Sequence, residues 1–296
     1  MYGDIVSDNL DDHPPIDKRF LEGAPSTAWR DFKDPKLRQF PRHGSKIKWI
    51  DYLGHGREGI VFKATIGDKD LPVAIKRPPP QPLPVGDGWR EAEWPFEDGS
   101  RTVALLEKIR WAMADAAADS NTTIRIRDAP RRKADVIENL RAFSDEARHQ
   151  SAEATPTAHD PTRPPPPFPS LPVCYGWTTV RWDELPRLDP PVQDEADERV
   201  DWHWAIIYEF VPGETGKTQD PAVGQSHLDF FYALGFALEA YKPDNWHGGR
   251  LVDLNDICSP FSDGWQKAAV RPRDAKKWFS SLGFVQDSTC SHKIVP

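Results

Sequence analysis

Three stretches of this chain carry residues whose types and spacing could grip a phosphorylated ligand together with a divalent cation. The first reads Leu53-Gly-His-Gly-Arg-Glu-Gly-Ile-Val61, a G-x-G-x-x-G-x-V run. Glycines let backbone amides approach phosphate oxygens with no Cβ in the way, which makes Gly54, Gly56, Gly59 and the following Val61 candidate binding positions. A dinucleotide-type turn of similar spelling would have to open a helix. Here the β-branched Ile60 and Val61 and the aromatic Phe62 continue a strand instead. The second stretch, Val73-Ala-Ile-Lys76, ends fifteen residues after Val61 and puts an ammonium group within reach of the same phosphates. The third runs from Ala240 to Asn255 and offers an ammonium at Lys242, an amide at Asn245 and a carboxylate at Asp253. Without any chemistry, the same stretch reads as a Pro-Asp-Asn turn leading into a Gly-Gly hairpin.

The elements that must hold these groups follow from periodicity and punctuation. Ile47–Ile50, Ile60–Ile66 and Pro72–Lys76 are short β-type runs separated by Gly-containing turns, which predicts three antiparallel strands. Residues 171–181 and 202–211 predict two more strands of the same small sheet, separated by an acidic excursion through Asp194, Glu195, Asp197 and Glu198. Arg77–Gly99 contains Pro78-Pro-Pro-Gln-Pro-Leu-Pro84, which lacks the N–H groups a ladder needs, and reads as a loop. Helices are expected from Arg101 to about Ala118, from Arg131 to about Ala154 and from Leu228 to Tyr241, with a further short strand at Gly249–Asp253. The proline tract Pro161–Pro172 reads as a rigid spacer or an SH3-type ligand. Met1–Arg42, interrupted by prolines, reads as an extended leader wrapping the domain, and Ile257–Pro296 as one or two short helices around Trp265 and Trp278.

Composition excludes several classes. A net charge of −8 argues against a nucleic-acid platform, and the basic run Arg271–Lys277 reads as a solvated tail. Cys174, Cys258 and Cys290 lack CxxC spacing, so neither a zinc site nor a disulfide framework is expected. No apolar run reaches the ~18 residues of a bilayer span, and the N-terminus lacks the pattern of a secretory signal. The chain reads as intracellular, in nucleus or cytoplasm, with neither nucleic acid nor membrane as partner.

Taken together, the glycine run, Val73-Ala-Ile-Lys76 and the Ala240–Asn255 loop resemble the protein-kinase superfamily. The resemblance implies an α+β, two-lobe fold. Its small antiparallel N-lobe sheet would fall within 46–211, interrupted by proline-rich insertions at 77–100 and 155–172. A truncated helical C-lobe would follow at 212–296, and the leader would precede at 1–45. It also implies ATP and Mg2+ as ligands, with Lys76 on the phosphates, Lys242 in the catalytic loop, and Asn245 and Asp253 on the metal. Ile206-Ile-Tyr208 followed by Glu209-Phe-Val211 looks like the fifth strand entering the hinge, with Tyr208 at the gatekeeper position and Glu209 and Val211 beside the adenine. The partner of Lys76 would be Glu146 of Phe143-Ser-Asp-Glu-Ala-Arg148, with Glu138 as competitor. Within the superfamily the pattern is most similar to a fungal kinase-like family named after a subunit of the Sim-four inner-kinetochore complex (Fta-two-like). That family's glycine loop, F-x-x-E-x-R helix, C-x-G strand and asparagine loop correspond to residues 54–61, 143–148, Cys174-Tyr-Gly176 and 242–254.

Two departures bear on activity. Ala240 stands where the superfamily carries the aspartate that accepts the substrate's proton, and Asp253-Leu-Asn255 replaces Asp-Phe-Gly. A methyl group cannot accept a proton. Glu239 is one position away, but adjacent residues of an extended segment point in different directions. The 43 residues after Asp253 are few for an activation segment and a peptide-docking subdomain. Three readings follow: a pseudokinase acting as a nucleotide-binding interaction module with a protein partner, a minimal atypical phosphotransferase, and a scaffold that binds no nucleotide.

Overall fold

From Gly59 to Ile66 the side chains of Ile60, Phe62, Ala64 and Ile66 are buried on one face, the two-residue repeat of a strand laid on a core. The same logic builds most of the molecule. The computed structural model describes residues 15–56, 58–67, 69–79, 94–119, 122–149, 162–189, 201–213, 220–238, 241–262, 265, 270–280 and 293–295. In chain order these hold β1 (Ile16–Phe20), α1 (Trp29–Lys33), β2 (Leu37–Gln39), β3 (Ile47–Gly56), β4 (Gly59–Ile66), β5 (Lys69–Arg77), α2 (Pro95–Ala118), β6 (Ile126–Arg127), α3 (Lys133–Arg141) and α4 (Asp145–Arg148). They continue with β7 (Thr162–Arg163), β8 (Cys174–Arg181), β9 (Arg187–Asp189), β10 (Trp202–Glu209), α5 (Pro221–Ala233), β11 (Ala237–Leu238), β12 (Trp246–His247), β13 (Arg250–Leu251), β14 (Ile257–Cys258), α6 (Ala275–Ser280) and β15 (Lys293–Val295).

The fold is mixed α+β around one seven-stranded sheet of order β1-β2-β8-β10-β5-β4-β3. β3, β4, β5, β10 and β8 run antiparallel to their neighbours, whereas β1 and β2 join the β8 edge in parallel. One face of the sheet carries Val73, Ile75, Ala205 and Ile207, covered by Phe40 and Leu185. The other carries Ile206, Tyr208 and Trp177 and packs on α2, α3 and α5 through Phe96, Leu105, Ile109, Leu140 and Phe230.

Several expectations are corrected. The leader supplies two strands and a helix rather than an extended wrap: Phe32 and Leu37 are fully buried, and the Arg38 guanidinium donates to Glu107 on α2. Gly176, at φ +112°, makes that docking possible, since a Cβ there would sit 2.6 Å from the Arg38 carbonyl oxygen. α2 begins at Pro95, inside the stretch read as loop, because proline at the first helical turn has its φ already set and no N–H to lose.

The helix expected from Arg131 breaks after Arg141. Asp145 N–H donates to the Thr27 carbonyl and the Asp145 carboxylate accepts from Thr27 Oγ1, so the leader pins the chain into a turn there. The expected helix 228–241 instead spans Pro221–Ala233 and ends at Gly235, which adopts φ +72° against Val136. Trp265 lies outside any helix, and its indole N–H donates to the Gly235 carbonyl. Trp278 lies in α6. The proline tract packs on the body, with Pro166, Pro169 and Pro172 buried at the three-residue repeat of a polyproline II helix and Phe168 set against Phe230. Residues 214–219, 239–240 and 281–292, and the stretches 80–93 and 155–161 of the two proline-rich insertions, lie outside the described residues.

His227 shows how this tract is held. Its Nε2 accepts from Ser170 N–H at 2.9 Å, its ring stacks on Trp246, and burial pushes its pKa from 6.5 down to about 4. The neutral ring suits the folded state, while the unfolded chain binds a proton near pH 6.5, so acidification favours unfolding. Urea denaturation is expected to lose on the order of 3 kcal/mol from this site between pH 6.5 and pH 4. His227→Gln should flatten that slope. Phe32→Ala is expected to cost about 3–5 kcal/mol. A leader merely lying on the surface would give a change within about 0.5 kcal/mol.

Candidate functional site

Lys76 on β5 lies opposite Val61 of β4 and Ile206 of β10, so all three side chains share the sheet face that looks toward the helices. Ala74 and Tyr208 continue that face one pleat along. Above it, β3 and β4 meet in a tight hairpin whose register pairs Gly56 with Gly59. Gly59 is required by the fold: φ is +127°, and a Cβ would meet the Arg77 carbonyl oxygen at 2.2 Å. Among the described residues a Cβ at Gly54 or Gly56 would meet nothing within 4 Å, so packing there does not account for either glycine.

Lys76 Nζ donates to Asp253 Oδ1 at 2.7 Å and to Glu58 Oε2, at the hairpin tip, at 3.4 Å. Its side chain is 10% exposed. Burial opposes its charge, yet the two carboxylates outweigh burial and hold its pKa above the ordinary lysine value. Burial likewise works to raise Asp253, and the Lys76 ammonium outweighs it, leaving that carboxyl below its ordinary range. Asp253 also caps a one-turn 3₁₀ helix, Leu254–Asp256, by accepting from Asn255 N–H at 3.2 Å. The Asn255 amide donates to the Pro95 carbonyl at the start of α2, and Thr102 Oγ1 donates to the Ile257 carbonyl. Helix α2 thereby fixes the turn that carries Asp253.

Three residues beyond Asp253, Asp256 gathers the loop residues. Lys242 Nζ donates to its Oδ1 at 2.6 Å and Asn245 Nδ2 to its Oδ2 at 2.5 Å. Its side chain is 7% exposed, and burial followed by the charge of Asp253 pushes its pKa up to about 6. Tyr208 lies one pleat from Lys76 along the same sheet face. Its hydroxyl is buried without a hydrogen-bond partner among the described residues and stays protonated, because burial, with the charges of Asp253 and Glu58, raises its pKa well above the ordinary value.

At the end of β10, Glu209 N–H donates to the Val173 carbonyl, and the Glu209 carboxylate takes both terminal nitrogens of Arg250 at 2.9 and 2.7 Å. The Val211 carbonyl faces His247 Nδ1 at 3.4 Å. The strand end expected to meet a ligand is thus clamped to the β12–β13 hairpin.

Of the residues singled out in the sequence, Gly59, Val61, Lys76, Lys242, Asn245 and Asp253 converge on this cluster. Glu146 does not reach Lys76. It is exposed and accepts from Trp29 N–H at the first turn of α1, which satisfies one of the amides a helix start leaves without a partner. Glu138 pairs with Arg127. Ala240 and Glu239 lie outside the described residues.

Comparison of the chain with family models, curated proteins and solved structures finds no match.

The residues that sequence reasoning missed are Asp256, Glu58 as a partner of Lys76, and Arg250. For Asp256 a signal existed, because residues three apart eclipse each other on a 3₁₀ turn and Asp253 and Asp256 have that spacing. Among the described residues no cluster of three or more His, Cys, Asp or Glu could cage a metal. The Asp253 carboxylate and the Asn245 amide oxygen are the groups here that could hold a magnesium ion whose shell is completed by phosphates and water.

The Lys76–Asp253 pair generates a direct test. Lys76→Met and Asp253→Asn are each expected to cost about 1–3 kcal/mol in urea denaturation. The double variant should recover about 0.5–3 kcal/mol relative to their sum. Strict additivity would show that the pair carries no coupling.

Proposed function

We propose that this chain is a kinase-like pseudoenzyme of two-lobe form that binds nucleotide weakly, and only together with magnesium. The observation that carries the reading is the 2.7 Å contact between Lys76 and Asp253, which brings together two of the sequence motifs across 177 residues of chain. Further support comes from the order of elements. Counting from Lys46, the large sheet's strands put the glycine hairpin between the first and second, Lys76 on the third and Tyr208-Glu209 at the end of the fifth. Gly54 and Gly56 add to it, since among the described residues both are free of contacts that would explain their lack of a side chain.

Electrostatics explains why the affinity is weak and the metal necessary. Two ammonium groups, Lys76 and Lys242, stand among three carboxylates, Asp253, Asp256 and Glu58. Bare triphosphate meets a site with no surplus of positive charge, and Glu58 already occupies part of the Lys76 ammonium. A magnesium ion held by Asp253 and Asn245 would reverse that balance. The ion would neutralise charge on the phosphates when bound. Ala240 supplies no proton acceptor, so positioning is retained and turnover is lost. In this reading the chain acts inside the cell through a protein partner. Its acidic balance, 46 Asp and Glu against 38 Lys and Arg, disfavours nucleic acid. No helix among the described residues is long and apolar enough to cross a membrane.

Thermal-shift titration with ATP tests the reading, because a ligand that binds the native state raises its melting temperature. A shift is expected with magnesium and not without it, and Lys76→Ala and Asp253→Ala should each abolish it. Glu58→Gln should strengthen binding several-fold and permit a weak shift without metal. Ala240→Asp should leave affinity nearly unchanged. No shift at millimolar ATP would overturn nucleotide binding in favour of a pure scaffold, and steady turnover would overturn the pseudoenzyme assignment.

A further inference from the structure

The site contains a buried carboxylate that the superfamily pattern does not supply. Resting on the nucleotide-binding reading above, we propose that Asp256 is the positioning residue of this site, holding Lys242 and Asn245 toward the phosphates and their cation in place of the aspartate absent at position 240.

Both oxygens of Asp256 are committed, and to different residues: Oδ1 to the Lys242 ammonium and Oδ2 to the Asn245 amide. These are the two loop residues that the motif would aim at a ligand. Lys242 is 40% exposed, and Asp256 Oδ1 ties its ammonium to the buried turn. Asn245 is held from both ends, since its backbone carbonyl accepts from Val252 N–H at 2.8 Å while its side chain reaches Asp256. Asp256 itself cannot drift. The 3₁₀ turn that carries it is tied to α2 through Asn255, against which Gly99 fits so closely that a Cβ would approach Asn255 Oδ1 to 2.8 Å.

β11 pairs with β14 so that Leu238, four residues before Lys242 in sequence, lies opposite Ile257, the residue after Asp256. The turn also divides its labour. Asp253 and Asp256 lie one 3₁₀ turn apart on the same side, the first bound to the sheet through Lys76 and the second to the loop through Lys242 and Asn245. The Tyr208 hydroxyl, buried on the sheet face of Lys76 and without a partner among the described residues, is one more hydrogen-bonding group for a ligand or water to satisfy.

Titration calorimetry of Mg·ATP into the full chain and its variants separates positioning from plain structural support. Asp256→Asn is expected to weaken binding by about tenfold to a hundredfold, the scale of losing charge-assisted hydrogen bonds. Adding Ala240→Asp to that variant should restore affinity to within about threefold of the parent, by returning a carboxylate two residues before Lys242. Affinity unchanged in Asp256→Asn, while Lys76→Ala still abolishes binding, overturns the inference and leaves the nucleotide reading intact. A loss that Ala240→Asp does not restore, accompanied by a lower melting temperature, assigns Asp256 to folding alone and also overturns it. Absence of binding in the parent chain removes both. Should Asp256→Asn not fold, Asp256→Glu keeps the charge and displaces it by one methylene. It is expected to bind about threefold to tenfold more weakly, and parent-like affinity would count against the proposal.

Discussion

The ion pair between Lys76 and Asp253 joins the sheet to the loops that follow α5, and the geometry of the cluster descends from it. The β4–β5 and β5–β10 registers put Lys76 on the helix-facing side of the sheet. Lys76 fixes Asp253, Asp253 caps the turn Leu254–Asp256, and that turn delivers Asp256 to Lys242 and Asn245. A partly buried pair of this kind adds little net stability, because desolvation offsets much of the attraction. Its contribution here is to select one arrangement of a segment otherwise rich in one-turn helices and two-residue strands. Glu58 enters the same balance from the hairpin tip, so the position of the glycine hairpin and the charge state of the cluster are linked.

A second layer of support comes from segments with little intrinsic structure. The leader pairs β2 with β8, ties Arg38 to α2, and claims Asp145 and Glu146 through Thr27 and Trp29. On the opposite flank, the proline tract lays Phe168 between Arg110 and Phe230 and hands the Ser170 N–H to His227. Arg250 then fastens Leu171 and Glu209 to the β12–β13 hairpin. Polar side chains bonding to backbone make segments specific that could not specify themselves by periodicity.

Five strands of the central sheet, β3, β4, β5, β8 and β10, were legible because alternation is a local property, and so were Lys76 and Asp253 because their spacing belongs to a pattern of residue types. Glu146 illustrates what was not legible. Nothing local to residues 143–148 reveals that the amide of Trp29, more than a hundred residues earlier, will claim its carboxylate. Asp256 was hidden for another reason: its three-residue spacing from Asp253 carries meaning only once the 3₁₀ turn is known, and its role depends on Lys242 and Asn245 arriving from a different segment. The end of α5 at Gly235 reflects contact with Val136, a constraint that neither helix propensity nor composition contains. The leader's strands were missed because β2 has three residues and one large apolar side chain, Leu37, too short a run to show alternation.

The parallel pairing of Gln39 with Trp177 has a consequence for how the protein comes into being. On a ribosome the leader emerges first, but the strand it must join follows 138 residues later, on the order of ten seconds at ordinary elongation rates. During that interval Phe32 and Leu37 have no core to enter, and β3, β4 and β5 can form a local meander without them. The antiparallel strands are therefore the natural nucleus, and the leader closes over a surface that already exists. Nascent chains stalled before β8 would present this apolar segment to chaperones, and the time the leader waits is set by translation rather than by its own propensity to fold.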